Sequence, residues 1–442
     1  MVAAELTRPE SLRPDILRVE NFGAVYYHRR SAEFSVLPPP YARLLLGALR
    51  RHVMAAYKRA PEIATAALVA QVAHWRRQGV LDAAYRSTAR VVRRPAADSL
   101  SAPLVTNLQI TRACNLRCQH CFVDIDTRPH PAELSMTQVR SLFGELSGAG
   151  APVVILAGGE PLARDDFYDV VDAIADYDLD VALCTNATLI RERDAARLAR
   201  SAIRWFSISL DGADAATHDA LRGAGAFVRA LRGIGLLLAA GGQNVKLRVT
   251  VTRQNAHTLA AFAPLARKLG VGEVVFKPFR HSTMGEALHG EHLYISRAAY
   301  SDAIDVARRA WPNDAPRASF DDGMPEGLPA WTRITPEFAC VGGTTHASVI
   351  YDGRVVACDA VFDPADWTLH EHGFVEAWLN APTVRRWRGL EAGDECRGCG
   401  NFKRCGGGCR ARALAAGHSM HDPDPWAYCE PKRSVPRLNI IH

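Results

Sequence analysis

Six stretches between residues 104 and 279 carry Val, Ile, Leu or Phe at alternate positions or in short apolar runs. They are "LVTNLQIT" (104–111), "PVVILAG" (152–158), "DVALCTN" (180–186), "WFSISLD" (205–211), "KLRVTVT" (246–252) and "EVVFKPF" (273–279). Each has the length and β-branched content of a strand. Between them apolar residues recur at helical spacing, as in "DDFYDVVDAIADY" (165–177) and "NAHTLAAFAPLARKLG" (255–270). Strands alternating with amphipathic helices predict an α/β fold with a parallel sheet and helices packed outside it. Six βα units over 104–311, against the eight of a closed barrel, predict an open, partial (βα)6 barrel.

The pattern differs on either side. Residues 1–93 begin with short strands, "DILRVE", "GAVYYHRR" and "AEFSVL", followed by helices over 38–57 and 61–81. A small sheet followed by helices predicts a winged-helix-like unit. Residues 94–103 are a Pro/Ala/Ser linker. Residues 312–336 hold five prolines, at 312, 316, 325, 329 and 336, and predict a bridging segment with neither helix nor strand. Residues 337–442 form a cysteine-rich C-terminal domain.

Composition narrows the setting. At 442 residues, 48% hydrophobic and 23% charged, the chain is of globular type, and no apolar run approaches membrane-spanning length. The start, "MVAAELTRPESLRPD", has early acids and no apolar core, which argues against a secretory signal and for a cytoplasmic protein. Eleven cysteines, an odd number, argue for metal or redox chemistry rather than a disulfide framework. Residues 1–100 hold 16 Lys and Arg against 8 Asp and Glu, while the rest holds 37 against 39. The positive excess therefore lies in the first quarter and suggests an acidic partner there.

The chemistry concentrates in "RACNLRCQHCF" (112–122), where Cys114, Cys118 and Cys121 follow the first barrel strand. A structural zinc site wants four ligands. Three thiolates can instead hold three irons of a [4Fe–4S] cluster and leave the fourth iron open. After the second strand comes "AGGEP", with Gly158, Gly159, Glu160 and Pro161. Its glycines would let the backbone approach a ligand closely, and Glu160 could accept from an ammonium group. Ser207, Ser209 and Asp211 alternate with Phe206, Ile208 and Leu210, so they share one face of the fourth strand. Cys184 reads as a small core residue.

The cysteine triad with the GGEP run resembles the radical S-adenosylmethionine (SAM) superfamily over roughly residues 104–311. The resemblance implies SAM chelating the open iron and reductive cleavage to a 5′-deoxyadenosyl radical that abstracts hydrogen from substrate. It also implies an external electron donor of flavodoxin or ferredoxin type. Asn186 of "TNA" resembles a ribose-contacting strand end, Ser209 lines the ligand-holding lumen, and Arg222 of "THDALRG" resembles an arginine that meets the SAM carboxylate. His120 stands where the family usually has an aromatic residue.

Seven cysteines follow residue 337. Cys396 and Cys399 with Cys405 and Cys409 could close one zinc site, which leaves Cys340, Cys358 and Cys429 without a role. The full series resembles the SPASM extension of radical SAM enzymes, which implies two auxiliary [4Fe–4S] clusters. Cys340, Cys358 and Cys409 would bind the first, and Cys396, Cys399, Cys405 and Cys429 the second. Eight ligands are needed and seven cysteines are present, so one iron of the first would take another ligand: water, a side chain such as Glu337, His346 or Asp359, or an atom of the substrate peptide. Asp359 also resembles the aspartate thought to act as a base in sulfatase-maturing relatives.

The N-terminal unit resembles the leader-peptide-recognition (RRE) module of ribosomal-peptide (RiPP) pathways, a PqqD-like winged helix. The whole then reads as a maturase of a ribosomally synthesised peptide, installing a crosslink or other oxidative change, with the precursor peptide bound through its leader. No Arg/Lys-rich recognition helix for nucleic acid is evident. The alternatives are an enzyme acting on a folded protein or small metabolite (sulfatase-maturase-like or tetrapyrrole-type) and, from another class, an iron–sulfur electron carrier or a zinc-dependent regulator.

Overall fold

A computed structural model describes residues 13–49, 53–57, 63–93, 96, 99–283, 286–320, 340–361 and 363–426. The N-terminal unit is a four-stranded sheet in the order β3-β2-β1-β4, formed by β1 (Ile16–Glu20), β2 (Gly23–His28), β3 (Glu33–Leu37) and β4 (Arg90–Arg93). The first three strands pair as consecutive antiparallel neighbours, while β4 returns to run parallel to β1. That return strand was not evident in the sequence. The helix expected over 38–57 is divided into Pro39–Ala48 and Val53–Tyr57. They cross at Gly47, where a Cβ would lie 2.5 Å from the Cβ of Ala56. The third helix is Thr65–Arg77.

The larger sheet has nine described strands in the order β11-β10-β9-β8-β7-β6-β5-β12-β13. Its centre matches the six expected strands: β5 (Val105–Gln109), β6 (Val153–Ala157), β7 (Asp180–Thr185), β8 (Ile203–Ser209), β9 (Val245–Val251) and β10 (Glu273–Pro278), all parallel. Two additions correct the six-strand expectation. The supposed bridge contributes β11 (Arg317–Phe320), parallel to β10, where Phe320 stacks on Phe276 at 5.2 Å. From the cysteine-rich region, β12 (His346–Val349) pairs in parallel with β5, and β13 (Val355–Val356) pairs antiparallel with β12. The rest of the bridge, 321–336, lies outside the described residues.

Alternation along each central strand has one cause. Leu108, Val154, Leu183, Ile208, Leu247, Val249, Val274 and Phe276 are fully buried against the outer helices. The residues between them face the lumen and keep partial exposure, as at Asn107, Cys184, Ser209, Arg248 and Lys277.

Part of the basic excess of the N-terminal quarter is answered by the barrel itself. Arg29 bonds Asp178 at 2.7 Å and Asp180 at 2.8 Å, and Arg90 bonds Asp178 at 2.9 Å. Tyr27 donates to Asp180 at 2.6 Å, and Arg204 reaches the same carboxylate at 2.8 Å. Nearby, buried Arg18 pairs with Glu20 at 2.7 Å and donates to the carbonyls of Pro103 and Gly150, each at 3.1 Å. This network joins the small sheet to the N-terminal ends of the barrel strands, opposite the cysteine loop. Asp180→Ala should therefore lower stability by about 3 kcal/mol, the scale for removing one partner of a buried pair. A chemical denaturation curve reads this directly, and an unchanged midpoint would show that the network contributes nothing.

Candidate active site

The expected loops meet at the C-terminal ends of the strands. After β5 the chain turns through Thr111–Ala113, pinned where Glu133 accepts from Thr111 Oγ1 (2.8 Å) and from the Arg112 N–H (3.0 Å). The thiols of Cys114, Cys118 and Cys121 then pack with Leu116 and Ala226 in one small buried cluster. Burial pushes the Cys114 thiol up to about 12 and raises Cys118 as well, although the Arg222 charge opposes the latter. Thiols held in this way stay protonated until a cation arrives to displace the protons. Among the described residues no three His, Cys, Asp or Glu side chains close on a single ion, and all ten described cysteines are free of disulfides. The donor set fits a larger cationic body such as an iron–sulfur cluster.

The GGEP turn is built differently from the expectation. A Cβ on Gly158 would lie 2.3 Å from the Thr111 carbonyl oxygen, and one on Gly159 would lie 2.2 Å from that of Ala113. Both glycines are needed so that this turn can press against the backbone entering the cysteine loop. Gly159 and Glu160 N–H groups donate to Thr111 and Ala113, each at 2.8 Å. Pro161 opens a short 3₁₀ turn, Pro161–Ala163, where Glu160 accepts from the Leu162 N–H. The Glu160 carboxylate also accepts from Thr185 Oγ1 (2.6 Å) and the Asn186 N–H (2.8 Å), and burial raises its pKa. Asn186 in turn donates to Asn115 inside the cysteine loop at 3.0 Å. Residues of the first three strand ends are thus tied into one network.

Arg222 ends on Asp211, with Nε 2.5 Å from Oδ2, rather than projecting freely. Its Nη1 lies 3.7 Å from Cys118 Sγ, and its Nη2 lies 3.4 Å from His120 Nε2. Asp211 also accepts from the Thr250 N–H at 2.7 Å and lies 3.2 Å from His120 Nε2. Burial alone would raise the Asp211 pKa, but Arg222 and the other partners hold it below the usual value. Burial keeps His120 neutral, with its pKa near 4, and its Nδ1 is a buried polar atom with no partner among the described residues. Ser209 lies half-buried on the lumen face beside Arg248. Cys184 corrects the core expectation: it is partly accessible on the same face, 3.7 Å from Arg248 Nη1.

A second constellation forms where the C-terminal region meets the lumen. Burial pushes Cys340 up to about 11 and Cys358 well above its usual range, and neighbouring Cys409 adds to both shifts. The run Gly406–Gly408 has φ of 52°, 75° and 80°, left-handed backbone suited to glycine. It swings Cys409 back so that its N–H donates to buried Asp424 at 2.7 Å, a carboxylate also held by Arg412. Phe122, beside Cys121, packs among Cys358 and Cys409, so the two cysteine regions share an apolar contact. Cys396, Cys399 and Cys405 lie on the turns and short helices just before this glycine run, while Cys429 and Glu337 lie outside the described residues. Asp359 Oδ2 accepts from Asn107 Nδ2 at 2.5 Å, and burial raises its pKa against the nearby Arg280 charge.

Arg280, Asn107 and Asn115 were not singled out in the sequence. Arg280 just follows β10, where its charge faces Cys409, Cys358 and Asp359. Only its place past a strand end hinted at a role. Both asparagines are polar interruptions in or just after β5, but without a partner in view they carry no distinctive signal.

Comparison with known proteins agrees with this geometry. The Radical SAM superfamily pattern matches residues 108–265. Mycofactocin maturase MftC of Mycobacterium ulcerans is 34% identical over 356 residues, covering 78% of this chain and 94% of that protein. AdoMet-dependent heme synthase of Nitratidesulfovibrio vulgaris is 30% identical over 350 residues, covering 74% and 93%. Among solved structures, Streptococcus suis SuiB bound to precursor peptide SuiA superposes with a TM-score of 0.71 at 16% identity, covering 96% of this chain and all of that one.

Cys118→Ala should abolish reductive SAM cleavage and the electron paramagnetic resonance signal of a SAM-bound cluster, whereas Cys184→Ala should keep both. Equal 5′-deoxyadenosine production by the Cys118 variant and the wild type would remove the triad from the mechanism.

Proposed function

The chain belongs to the radical SAM superfamily, and on that premise we propose that it matures a ribosomally synthesised peptide. Membership implies a [4Fe–4S] cluster and SAM, which when bound supply a 5′-deoxyadenosyl radical able to take hydrogen from an unactivated carbon. The observation that carries the peptide reading is the fold match to a peptide-bound enzyme over 96% of the chain. The likeness to a mycofactocin maturase over 78% of the chain supports it.

In this reading Cys114, Cys118 and Cys121 hold the SAM-binding cluster. Glu160, through Asn186 and Asn115, fixes the loops around it, and Gly158, Gly159 and Pro161 shape the turn that lets them meet. Arg222 places a buried positive charge beside Cys118, with Asp211 as its counter-ion. We assign residues 337–442 as a SPASM domain. Cys340, Cys358 and Cys409 serve a first auxiliary cluster that has one iron without a cysteine ligand. Cys396, Cys399, Cys405 and Cys429 serve a second. Asp359, hydrogen-bonded to Asn107 in the lumen, is the group assigned to take a proton from substrate, and its raised pKa makes it a stronger proton acceptor than an ordinary carboxylate. An external electron donor reduces the clusters.

Residues 1–93 form the leader-binding module in this reading. β3 is the outer strand of its sheet, so a leader can add alongside it. A groove of about 540 Å³ along the third helix is lined by Leu68, Val69, Val72, Ala73, Arg76, Arg77 and Tyr85. An exposed Val69, 61% accessible, and two arginines suit an amphipathic acidic leader. The heme synthase relative supports a second reading, a tetrapyrrole-type metabolite as substrate.

Three measurements test the proposal. Anaerobic reconstitution should give about twelve irons per chain, from three four-iron clusters, and one zinc without iron would end the reading. Co-production with peptides encoded beside the gene should yield a mass change in one of them. Val69→Asp should weaken binding of that precursor roughly tenfold, as expected for a charge placed in an apolar contact, while uncoupled SAM cleavage persists. Unchanged affinity would move the leader site elsewhere.

A further inference from the structure

The outer rim of the cysteine loop is open to solvent. Asn115, Arg117 and Gln119 are exposed, while Leu116 and Cys118 between them are buried. Asn115 donates to Thr188 Oγ1 and Gln119 to the Ala220 carbonyl, each at 2.8 Å. The helix Ala226–Ala239 starts against this loop, because its Ala226 packs with Leu116 and the three thiols. Val228 stands about 3 Å further along that helix. It is 66% exposed, one of three large apolar side chains so open among the described residues.

Val228, Arg232 and Gly235 recur at helical spacing on one exposed face. A Cβ on Gly235 would meet nothing within 4 Å, whereas one on Gly233 would lie 2.0 Å from the Ala187 carbonyl oxygen. Packing therefore explains Gly233. Gly235 weakens the helix with no internal reason, and its missing side chain leaves the backbone open to close approach by another molecule.

Electrostatics narrows what that molecule is. No Asp or Glu occurs from residue 105 to 123 or from 220 to 272. Asp219, just before the second run, is held by the N–H groups of Gly225 (2.6 Å) and Phe227 (2.8 Å). Among the described residues no carboxylate oxygen comes within 4.0 Å of Arg117, Arg229 or Arg232. Arginines near the C-terminal cysteines differ, since Arg386 pairs with Asp363 and Arg397 with Glu391.

Reductive cleavage of SAM needs one electron from outside the chain, and in the proposed reading SAM and substrate fill the lumen side of the cysteine loop. We infer that the outer side, Val228 with Arg229, Arg232 and Arg117, is where an acidic one-electron carrier protein docks. An apolar centre edged by cations matches an acidic surface, and the charges speed encounter. One electron leaves the carrier and enters the cluster that the triad holds, and no atom is transferred. The inference rests on the triad holding that cluster and is independent of the peptide reading.

The test follows oxidation of a fully reduced acidic flavodoxin by SAM-loaded holoenzyme in stopped flow, with 5′-deoxyadenosine as product and no peptide present. Photoreduced 5-deazariboflavin, a small molecule, serves as a reductant that needs no docking. Arg229→Glu combined with Arg232→Glu should slow transfer from flavodoxin roughly tenfold at low salt, the lower end of electrostatic steering. The same variant should make as much 5′-deoxyadenosine as wild type with deazaflavin. Added salt should slow the wild type and shrink the difference. Gly235→Trp, which adds bulk in open space without charge, should also slow flavodoxin. Iron content checks loading, and if the double variant fails it, Gly235→Trp decides. Equal flavodoxin rates in wild type and loaded variants would overturn the docking face. So would slowing by Arg385→Glu, beside the C-terminal cysteines, in place of these changes. A matching loss of the deazaflavin-driven product would place the residues in the site itself and overturn it too. If deazaflavin drives no cleavage in wild type, the cluster reading falls and the docking face with it.

Discussion

The buried ion pair between Asp211 and Arg222 is the interaction on which the rest of the site depends. One carboxylate at the end of β8 accepts from the backbone of β9 at Thr250, receives Arg222 from the helix Ala215–Arg222, and meets His120 from the cysteine loop. The Asp211 carbonyl accepts from Asn255 at 2.7 Å, which holds the turn after β9 as well. A charge this deep is costly unless every oxygen is answered. Here the groups that answer the carboxylate come from three segments, so satisfying it assembles the loop end. The pair also leaves a guanidinium beside Cys118, where it offsets the negative charge that a bound cluster would bring to its thiolates.

The same principle holds the molecule together at the other end of the barrel. Asp178 and Asp180 collect Arg29, Arg90 and Arg204, joining the small sheet to the base of the large one. The charge imbalance along the chain is therefore partly an internal matter. Basic residues of the first quarter meet acids of the barrel, and what remains for a partner is the helix face that carries Arg76 and Arg77.

The features legible in the sequence were those carried by local periodicity. Six central strands follow from alternation, because their outward residues must be buried under helices and their inward ones need not be. The cysteine triad was legible because its spacing lies within one short loop. The features missed depend on partners distant in sequence. β4 and β11 have four residues each and β13 has two, too few to show a period, and they become strands only by pairing with β1, β10 and β12. The crowding that requires glycine at 158 and 159 was not legible, because the crowding group is the backbone of residues 111–113, some 45 positions earlier. Arg222 reads as a ligand-seeking cation until its partner eleven residues back, Asp211, is seen.

Pairing of β12 with β5 has the widest consequence for function. By extending the barrel sheet past its first strand, it carries Cys358 and Asp359 to the lumen, where Asn107 of β5 meets Asp359. The C-terminal region thus supplies part of the barrel wall. Phe122, next to Cys121 in the chain, packs against Cys358 and Cys409, which draws the cysteine loop and the C-terminal cysteines together. Within the lumen acids and their partners lie on the side of β5 and β12, and the cations Arg248 and Lys277 lie on the side of β9 and β10. The charge of Arg248 reaches Asp359 from β9, so the two sides of the lumen are coupled through that carboxylate.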